Sequence, residues 1–202
     1  MISIRNLTLC AIFLAACMLS GCKGDLSTPK GAAKTFATAM ENGDVEAAKR
    51  ATTGGDPAVI ESMVKLTGNM KKLRDAAVSK FGDEGKTAFG AGHGESMDLS
   101  KSVDDADVKE DGDTATLTPK GEARPLKMKK VSGDWKVDAS ELTGAMGNMG
   151  SAMFDNMSKA AAETADDIKA GKYKTAQEAQ QAFGSKMAGS SLGKLQAPDQ
   201  PK

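Results

Sequence analysis

The densest group of side chains with possible chemistry is a set of four methionines. Met146, Met149, Met153 and Met157 recur every three or four residues, so they share one face of a predicted helix. Thioether sulfur is a soft ligand that suits Cu(I). Methionine also fills irregular cores. The same stripe continues beyond both ends of the group, at Leu142, Ala160, Thr164 and Ile168. We therefore expect a core face, with Cu(I) binding as the alternative.

A single histidine is the next candidate. His93 has an imidazole that could act as a general base, and it lies between Gly92 and Gly94. Glu95 and Asp98 are nearby carboxylates, but no Cys, Ser or acid stands in a known catalytic order around His93. We expect a solvated loop histidine and no catalytic residue. A small hydrolase or isomerase that uses His93 with a carboxylate is the alternative function.

An acidic hairpin is the last candidate. Its carboxylates are Asp104, Asp105, Asp107, Glu110, Asp111 and Asp113. They lack the spacing of an EF-hand, so we expect a solvated strand face rather than a Ca²⁺ site. The chain also contains no P-loop, dinucleotide fingerprint or nucleophile elbow, and no cofactor is expected.

The overall charge excludes one class of partner. Lys and Arg total 27 and Asp and Glu total 27, which gives a formal net charge of zero. Without a basic excess, no electrostatic attraction to nucleic acid is expected. Aromatic residues make up 4% of the chain while Met occurs 12 times. The core is therefore expected to be aliphatic and rich in Ala and Met, with modest stability.

The first 21 residues have the pattern of an export signal. Residues 7–19 are apolar apart from Thr8, which is too short to span a bilayer core of about 30 Å but fits the apolar region of a signal peptide. The next stretch resembles a bacterial lipobox: Leu19, Ser20, Gly21 and Cys22. In lipoproteins of that kind the chain is cleaved before the Cys, whose thiol carries a diacylglycerol. We predict a signal peptide over 1–21, lipid attachment at Cys22 and a tether over 22–28.

A second stretch, residues 14–17, fits the same pattern and ends at Cys17. We favour Cys22 because the polar residues 23–25 follow it directly, whereas cleavage before Cys17 would leave two apolar residues on the mature chain. After cleavage Cys22 is the only cysteine, so no disulfide is expected. The resemblance implies a fatty-acylated (palmitate-type) envelope protein that is anchored in a membrane and faces the periplasm. Lys23 in place of Asp favours the outer membrane.

Helix signals dominate the chain from residue 28 to residue 82. Thr28 followed by a proline predicts a helix start, and Asp44 predicts a second short helix. Asp56, again followed by proline, starts the longest helix, which Gly82 ends. The glycine-rich residues 82–96 are predicted to form a loop.

Strand signals follow, and then helix signals return. Alternating apolar residues on both sides of an Asp-Gly turn, and again up to residue 138, predict an antiparallel meander of three or four strands. Residues 139–188 predict two further helices, the second with a capping box at Thr175. We expect these helices to pack on the convex side of the sheet or on a second copy of the chain. Residues 189–202 are predicted to be disordered.

The segment AAKTFATAMENGDVEAAKR resembles the opening helices of the nuclear transport factor two-like superfamily, and VKEDGDTATLTP and MKKVSGDWKVD are similar to the closing sheet of its small exported lipoproteins. The resemblance covers residues 29–138. It implies an α+β cone of helices on a curved sheet, whose mouth can hold a ligand, with residues 139–188 as a helical extension. We therefore expect a lipid-anchored, non-enzymatic binding module for a small apolar ligand or a protein partner.

Overall fold

The computed structural model describes residues 24–90, 99–120, 125–146 and 151–192. Over these residues the chain has an α+β fold with eight helices, which confirms the predicted α+β class, and one five-stranded mixed sheet in place of the expected antiparallel sheet of three or four strands. The helices are α1 (Pro29–Asn42), α2 (Val45–Arg50), α3 (Pro57–Phe81), α4 (Asp83–Gly90), α5 (Leu99–Asp104), α6 (Ser140–Met146), α7 (Ser151–Lys169) and α8 (Ala176–Leu192). The strands are β1 (Thr52–Thr53), β2 (Asp107–Asp111), β3 (Thr114–Thr118), β4 (Leu126–Val131) and β5 (Asp134–Asp138).

The first three helices begin at the polar caps that the sequence predicts. The Thr28 hydroxyl accepts a hydrogen bond from the Gly31 amide, and Asp44 and Asp56 cap α2 and α3 in the same way. Each cap satisfies an amide that has no partner within its own helix. These three caps therefore fix where the helices start.

The glycine-rich segment after α3 differs from the prediction, because residues 83–90 form the helix α4 rather than a loop. Acidic Asp83 and Glu84 lie in its first turn, where negative charge is favourable. Gly85 lets this helix approach α3 closely, since a Cβ there would lie 2.2 Å from the carbonyl oxygen of Ala77. Here glycine permits close contact between helices instead of breaking the chain.

The sheet has the order β1-β5-β4-β3-β2. Strands β2 to β5 form the predicted antiparallel meander, with turns at Gly112 and Gly133, both at positive φ. The extra strand β1 pairs parallel with β5. Thr52 and Thr53 make up this short strand between α2 and α3. Thr52 and Thr53 belong to this strand because the Ala139 amide donates a hydrogen bond to the Thr53 carbonyl at 2.9 Å.

Two hydrophobic clusters fill the interior. The first, which we call the sheet core, lies between α1, the N-terminal half of α3 and one face of the sheet; its large members include Phe36, Met40, Met63, Leu117, Met128, Trp135 and Phe154. The second, the bundle core, joins the C-terminal half of α3 to α7 and α8, with Leu73, Ala76, Ala77, Ala161, Ala165, Ile168 and Ala179 buried. Helix α7 thus packs on α3 of its own chain and α8 packs on α7 and α4, and not on the convex face of the sheet as expected.

Candidate functional site

The space between the helices and the sheet is where the family resemblance implies a ligand site. Large side chains occupy it: Phe36 is 7% exposed, Trp135 is 3% exposed and Met128 is 1% exposed. All three belong to the sheet core. Within the described residues, the position where a cone-type fold would hold a ligand is filled by the protein itself.

Two depressions mark the surface instead. One, of about 490 Å³, lies between the C-terminal parts of α3 and α7 and is lined by Lys72, Asp75, Ala76, Ser79, Lys80, Ile168 and Lys169. Its one carboxylate, on Asp75, accepts a hydrogen bond from Lys71 at 2.7 Å. Three lysines on an open surface can attract an anion, but they offer neither a nucleophile nor a general base at neutral pH.

The other depression, of about 420 Å³, lies beside the first described residues of the chain. It is lined by Gly24, Asp25, Gly31, Lys34, Thr35, Thr38, Ala39, Asn42, Asp44 and Ala47. Lys34 is engaged with Asp104 at 2.7 Å, and Asp44 is engaged as the cap of α2. The lining side chains are mostly short, and none of them is a large apolar side chain of the kind that binds an apolar ligand.

The methionine stripe is placed differently from the prediction. Met153 is 46% exposed and Met157 is half-buried, while the side chains of Met146 and Met149 lie outside the described part of the chain. The face of α7 that packs inward instead carries Phe154, Ala161 and Ala165, one residue further along the chain. The core prediction is therefore wrong for Met153, although Ala160, Thr164 and Ile168 are buried as expected.

The predicted lipid-attachment motif, Leu19, Ser20, Gly21 and Cys22, lies outside the described residues. So do His93, Glu95 and Asp98. Among the residues that the structure describes, no three His, Cys, Asp or Glu side chains are grouped so that they could hold a metal ion. In the same part of the chain, no helix is both long enough and apolar enough to cross a membrane.

The most perturbed carboxyl group, that of Asp167, forms a charged tie between helices. It accepts hydrogen bonds from Lys172 at 2.6 Å, Lys186 at 2.8 Å and the Tyr173 hydroxyl at 3.1 Å. The lysine bonds, that of Lys172 first, hold the pKa of Asp167 well below its usual range. A carboxylate that stays ionised has no proton to donate as a general acid, and the bond from Lys186 joins α7 to α8.

A similar group lies near the sheet core. Glu61 on α3 accepts hydrogen bonds from Lys49 at 2.8 Å and Lys65 at 2.7 Å, and these bonds lower its pKa to about 2. Sequence reasoning missed both carboxylates. Lys65 lies four residues after Glu61, a spacing that signals an ion pair, whereas nothing in the sequence shows that Lys186 reaches Asp167.

One face of the sheet is open to solvent. On the central strands β3 and β4, alternate side chains point away from the sheet core and are exposed: Thr114, Thr116, Thr118, Lys127 and Lys129. Lys129 forms an ion pair with Asp138 of β5 at 2.7 Å. Exposed side chains at the centre of a sheet mean that its outer face is uncovered among the described residues.

Comparisons with protein-family models, with curated proteins and with solved structures found no match.

Proposed function

We propose that the mature chain is a lipid-anchored envelope protein that faces the periplasm and acts as a non-enzymatic module binding a protein partner. The observation that carries this choice is the filled sheet core. Met128 and Trp135 occupy the space that a small apolar ligand would need. An interaction at the surface is then favoured over binding inside the fold.

Support for the anchor comes from the sequence around Cys22. An apolar stretch of signal-peptide length, a lipobox-like motif and a directly following polar segment occur in that order. Durable anchoring needs two or more acyl chains, since a single chain binds a membrane only marginally. A diacylglycerol on Cys22 meets this requirement.

Support for a non-enzymatic role comes from the strongly shifted carboxyl groups. Asp167 and Glu61 are both stabilised in their charged form by lysines, which is the opposite of what a general acid needs near neutral pH. The resemblance to the nuclear transport factor two-like superfamily stays a proposal, supported by the order of two helices, a long helix and an antiparallel meander.

The outer face of the sheet is the surface that we propose for the partner. It displays threonine and lysine side chains on adjacent strands, and the β-branched threonines are rigid at χ1. The threonines of this surface present hydrogen-bonding hydroxyl groups at a small cost in side-chain entropy.

The anchor is tested by metabolic labelling with a fatty acid. Label should vanish in Cys22→Ser and persist in the matched variant Cys17→Ser, because a polar segment directly follows only Cys22. The reverse result would move the mature start to Cys17. Label that survives both changes would refute lipid attachment at these sites.

The surface role is tested by photo-crosslinking in intact cells. A photo-reactive residue at exposed Thr116 on the outer sheet face should give a discrete crosslinked protein, whereas the same residue at exposed Thr87 on α4 should not. Equal crosslinking at both positions, or none at Thr116, would contradict the assignment. Binding of an apolar fluorescent probe to the folded protein, lost on Met128→Trp, would favour an interior ligand instead.

A further inference from the structure

The segment that directly precedes α1 is part of the folded body. The Leu26 carbonyl accepts a hydrogen bond from the Trp135 amide at 2.8 Å, which places this segment beside β5. The Leu26 side chain packs against the sheet core. Thr35 of α1 donates its hydroxyl to the Asp25 carbonyl at 3.3 Å. The chain that was expected to be a tether through residue 28 is thus docked from its first described residue.

Gly24 is in especially close contact with α1. A Cβ at this position would lie 2.2 Å from Thr35 Oγ1 and 2.3 Å from Thr35 Cγ2. Real Cβ atoms are not found at such distances, so the backbone of Gly24 lies directly on the helix. In the sequence a single residue, Lys23, separates Gly24 from Cys22.

Covalent geometry then limits how far the fold can lie from a lipid on Cys22. Consecutive Cα atoms are about 3.8 Å apart, so the Cα atoms of Cys22 and Gly24 are at most about 7.6 Å apart. The headgroup layer on each side of a bilayer is of similar thickness, about 5–8 Å. A flexible linker of about 20 residues would instead allow a separation of roughly 25 Å.

We propose that the surface around Gly24 rests on the lipid headgroups of the membrane. This inference depends on the lipid attachment to Cys22 proposed above. We call this surface the anchor face and define it by Gly24, Lys34, Thr38 and Asn42, which line the same depression. None of the large exposed apolar side chains among the described residues, Val78, Val108, Val131 and Met153, belongs to it. The anchor face therefore lies on the headgroups and does not insert into the hydrocarbon.

The far end of α3 is distant from the anchor face. Helix α3 passes the α1–α2 turn at Gly68, where the Cα of Gly43 would contact an added Cβ at 2.6 Å. From Gly68 to the end of α3 at Phe81 the helix extends roughly 20 Å further, at 1.5 Å per residue. Helix α4, with Thr87 exposed, follows directly. Gly85 of α4 packs against Ala77 of α3, so Thr87 lies near the far end of α3 and, in the proposed orientation, farther from the bilayer than Thr38.

Site-directed fluorescence quenching tests this orientation. Thr38→Cys and Thr87→Cys replace exposed helical threonines, and a mature chain that begins at Cys22 has no other cysteine to label. Each lipidated full-length variant is labelled with bimane and reconstituted into vesicles of phosphatidylethanolamine and phosphatidylglycerol that contain nitroxide-headgroup lipid. Mass spectrometry first establishes the acyl groups on Cys22. Quenching at position 38 should be several-fold stronger than at position 87.

A longer connection provides the control. Insertion of about 20 Gly and Ser residues between Lys23 and Gly24 should bring quenching at position 38 down towards that at position 87, because the fold is then free to leave the surface. Equal quenching in the acylated protein without the insertion would overturn the orientation alone. If quenching at position 38 still exceeds that at position 87 after the insertion, the short connection is not the cause of the orientation. Absence of acyl groups on Cys22 would overturn the anchor and the orientation together.

Discussion

The sheet core and the bundle core are built from different side chains. The sheet core contains the only tryptophan, Trp135, together with Phe36 and three buried methionines. In the bundle core five of the seven buried residues are alanine. Since apolar burial contributes roughly 25 cal/mol per Å², small side chains stabilise less per residue. The bundle is therefore expected to be the weaker region.

Polar contacts compensate for part of this difference. The Asn69 amide donates to the Ser158 hydroxyl at 2.9 Å, which links α3 to α7, and Gln180 of α8 donates to the Ala88 carbonyl at 2.9 Å. With the Asp167 group, these contacts join every helix of the bundle. Interactions near the surface are individually small. We infer that the bundle opens before the sheet core does.

The largest effects are expected from a matched pair of leucine truncations. Leu117 in the sheet core and Leu73 in the bundle core are both 0% exposed, so each change to Ala should cost about 2–5 kcal/mol of unfolding free energy. Leu117→Ala should lower the stability of the whole molecule, whereas Leu73→Ala should release the bundle first. Urea unfolding followed by Trp135 fluorescence and by far-UV circular dichroism distinguishes the two results.

In this experiment the two probes should coincide for Leu117→Ala. For Leu73→Ala the dichroism transition should precede the fluorescence transition, because Trp135 reports on the sheet core alone. Coincident transitions in both variants would show that the two cores unfold as one cooperative unit, which contradicts the distinction between them.

Gly68 provides the next test. An added Cβ there would lie 2.6 Å from the Gly43 Cα and 2.8 Å from the Gly43 amide nitrogen, and both are backbone atoms. Gly68→Ala should therefore cost about 1–3 kcal/mol through overpacking, despite a gain in helix propensity of about 1 kcal/mol. Thermal unfolding measures the loss. The matched variant is Gly184→Ala on α8, where an added Cβ meets nothing within 4 Å, so the same change should stabilise the protein.

Removal of the Asp167 charge should weaken the bundle. Asp167 is 18% exposed at its side chain and accepts three hydrogen bonds, two of them from lysines. Asp167→Asn is expected to cost about 1–2 kcal/mol. Amide hydrogen exchange should then show faster exchange in α8 and unchanged exchange in β3 to β5. Asp75→Asn removes an exposed pair with Lys71 and should change little.

Lowering the pH should produce the smallest loss of stability, and this loss should again occur in the bundle. The folded-state pKa of Asp167 is lowered from its ordinary value of 3.8, so its stabilising contribution is complete above about pH 5 and declines as the pH falls below the ordinary value. A gradual loss of bundle dichroism should begin below about pH 5 and continue as the pH falls towards the lowered pKa of Asp167, before the fluorescence of Trp135 changes. Asp167→Asn should remove this acid-dependent loss of dichroism. If the loss persists in the variant, other carboxylates are its cause.

Local signals in the sequence were sufficient for much of the fold. Thr28, Asp44 and Asp56 mark helix starts because a side-chain oxygen and an amide within three residues of it decide the cap. The meander was predictable because strand alternation and Gly turns are also local. Such features depend only on residues close in the chain, so no tertiary information is needed to find them.

The failures concern contacts between distant segments. Gly85 in α4 and Gly68 in α3 act as points of close approach, yet glycine alone usually indicates a break or a flexible turn. Met153 continues a helical stripe in the sequence, but α7 turns its neighbour Phe154 inward. The tie between Asp167 and Lys186 spans 19 residues. In each case the outcome depends on which helix lies opposite, and periodicity does not carry that information.

Helices α3 and α7 both pass through the two cores, and this has a consequence for biogenesis. Phe154 of α7 completes the sheet core, and the Asp56 amide donates to the hydroxyl of Thr143, 87 residues later. A chain that emerges from its N-terminus in extended form exposes both halves of α3 before α7 appears. Until then the apolar side of α3 lacks its partner, so a holdase chaperone has a defined target, and nascent chains that stall before residue 154 should be preferred substrates of proteases.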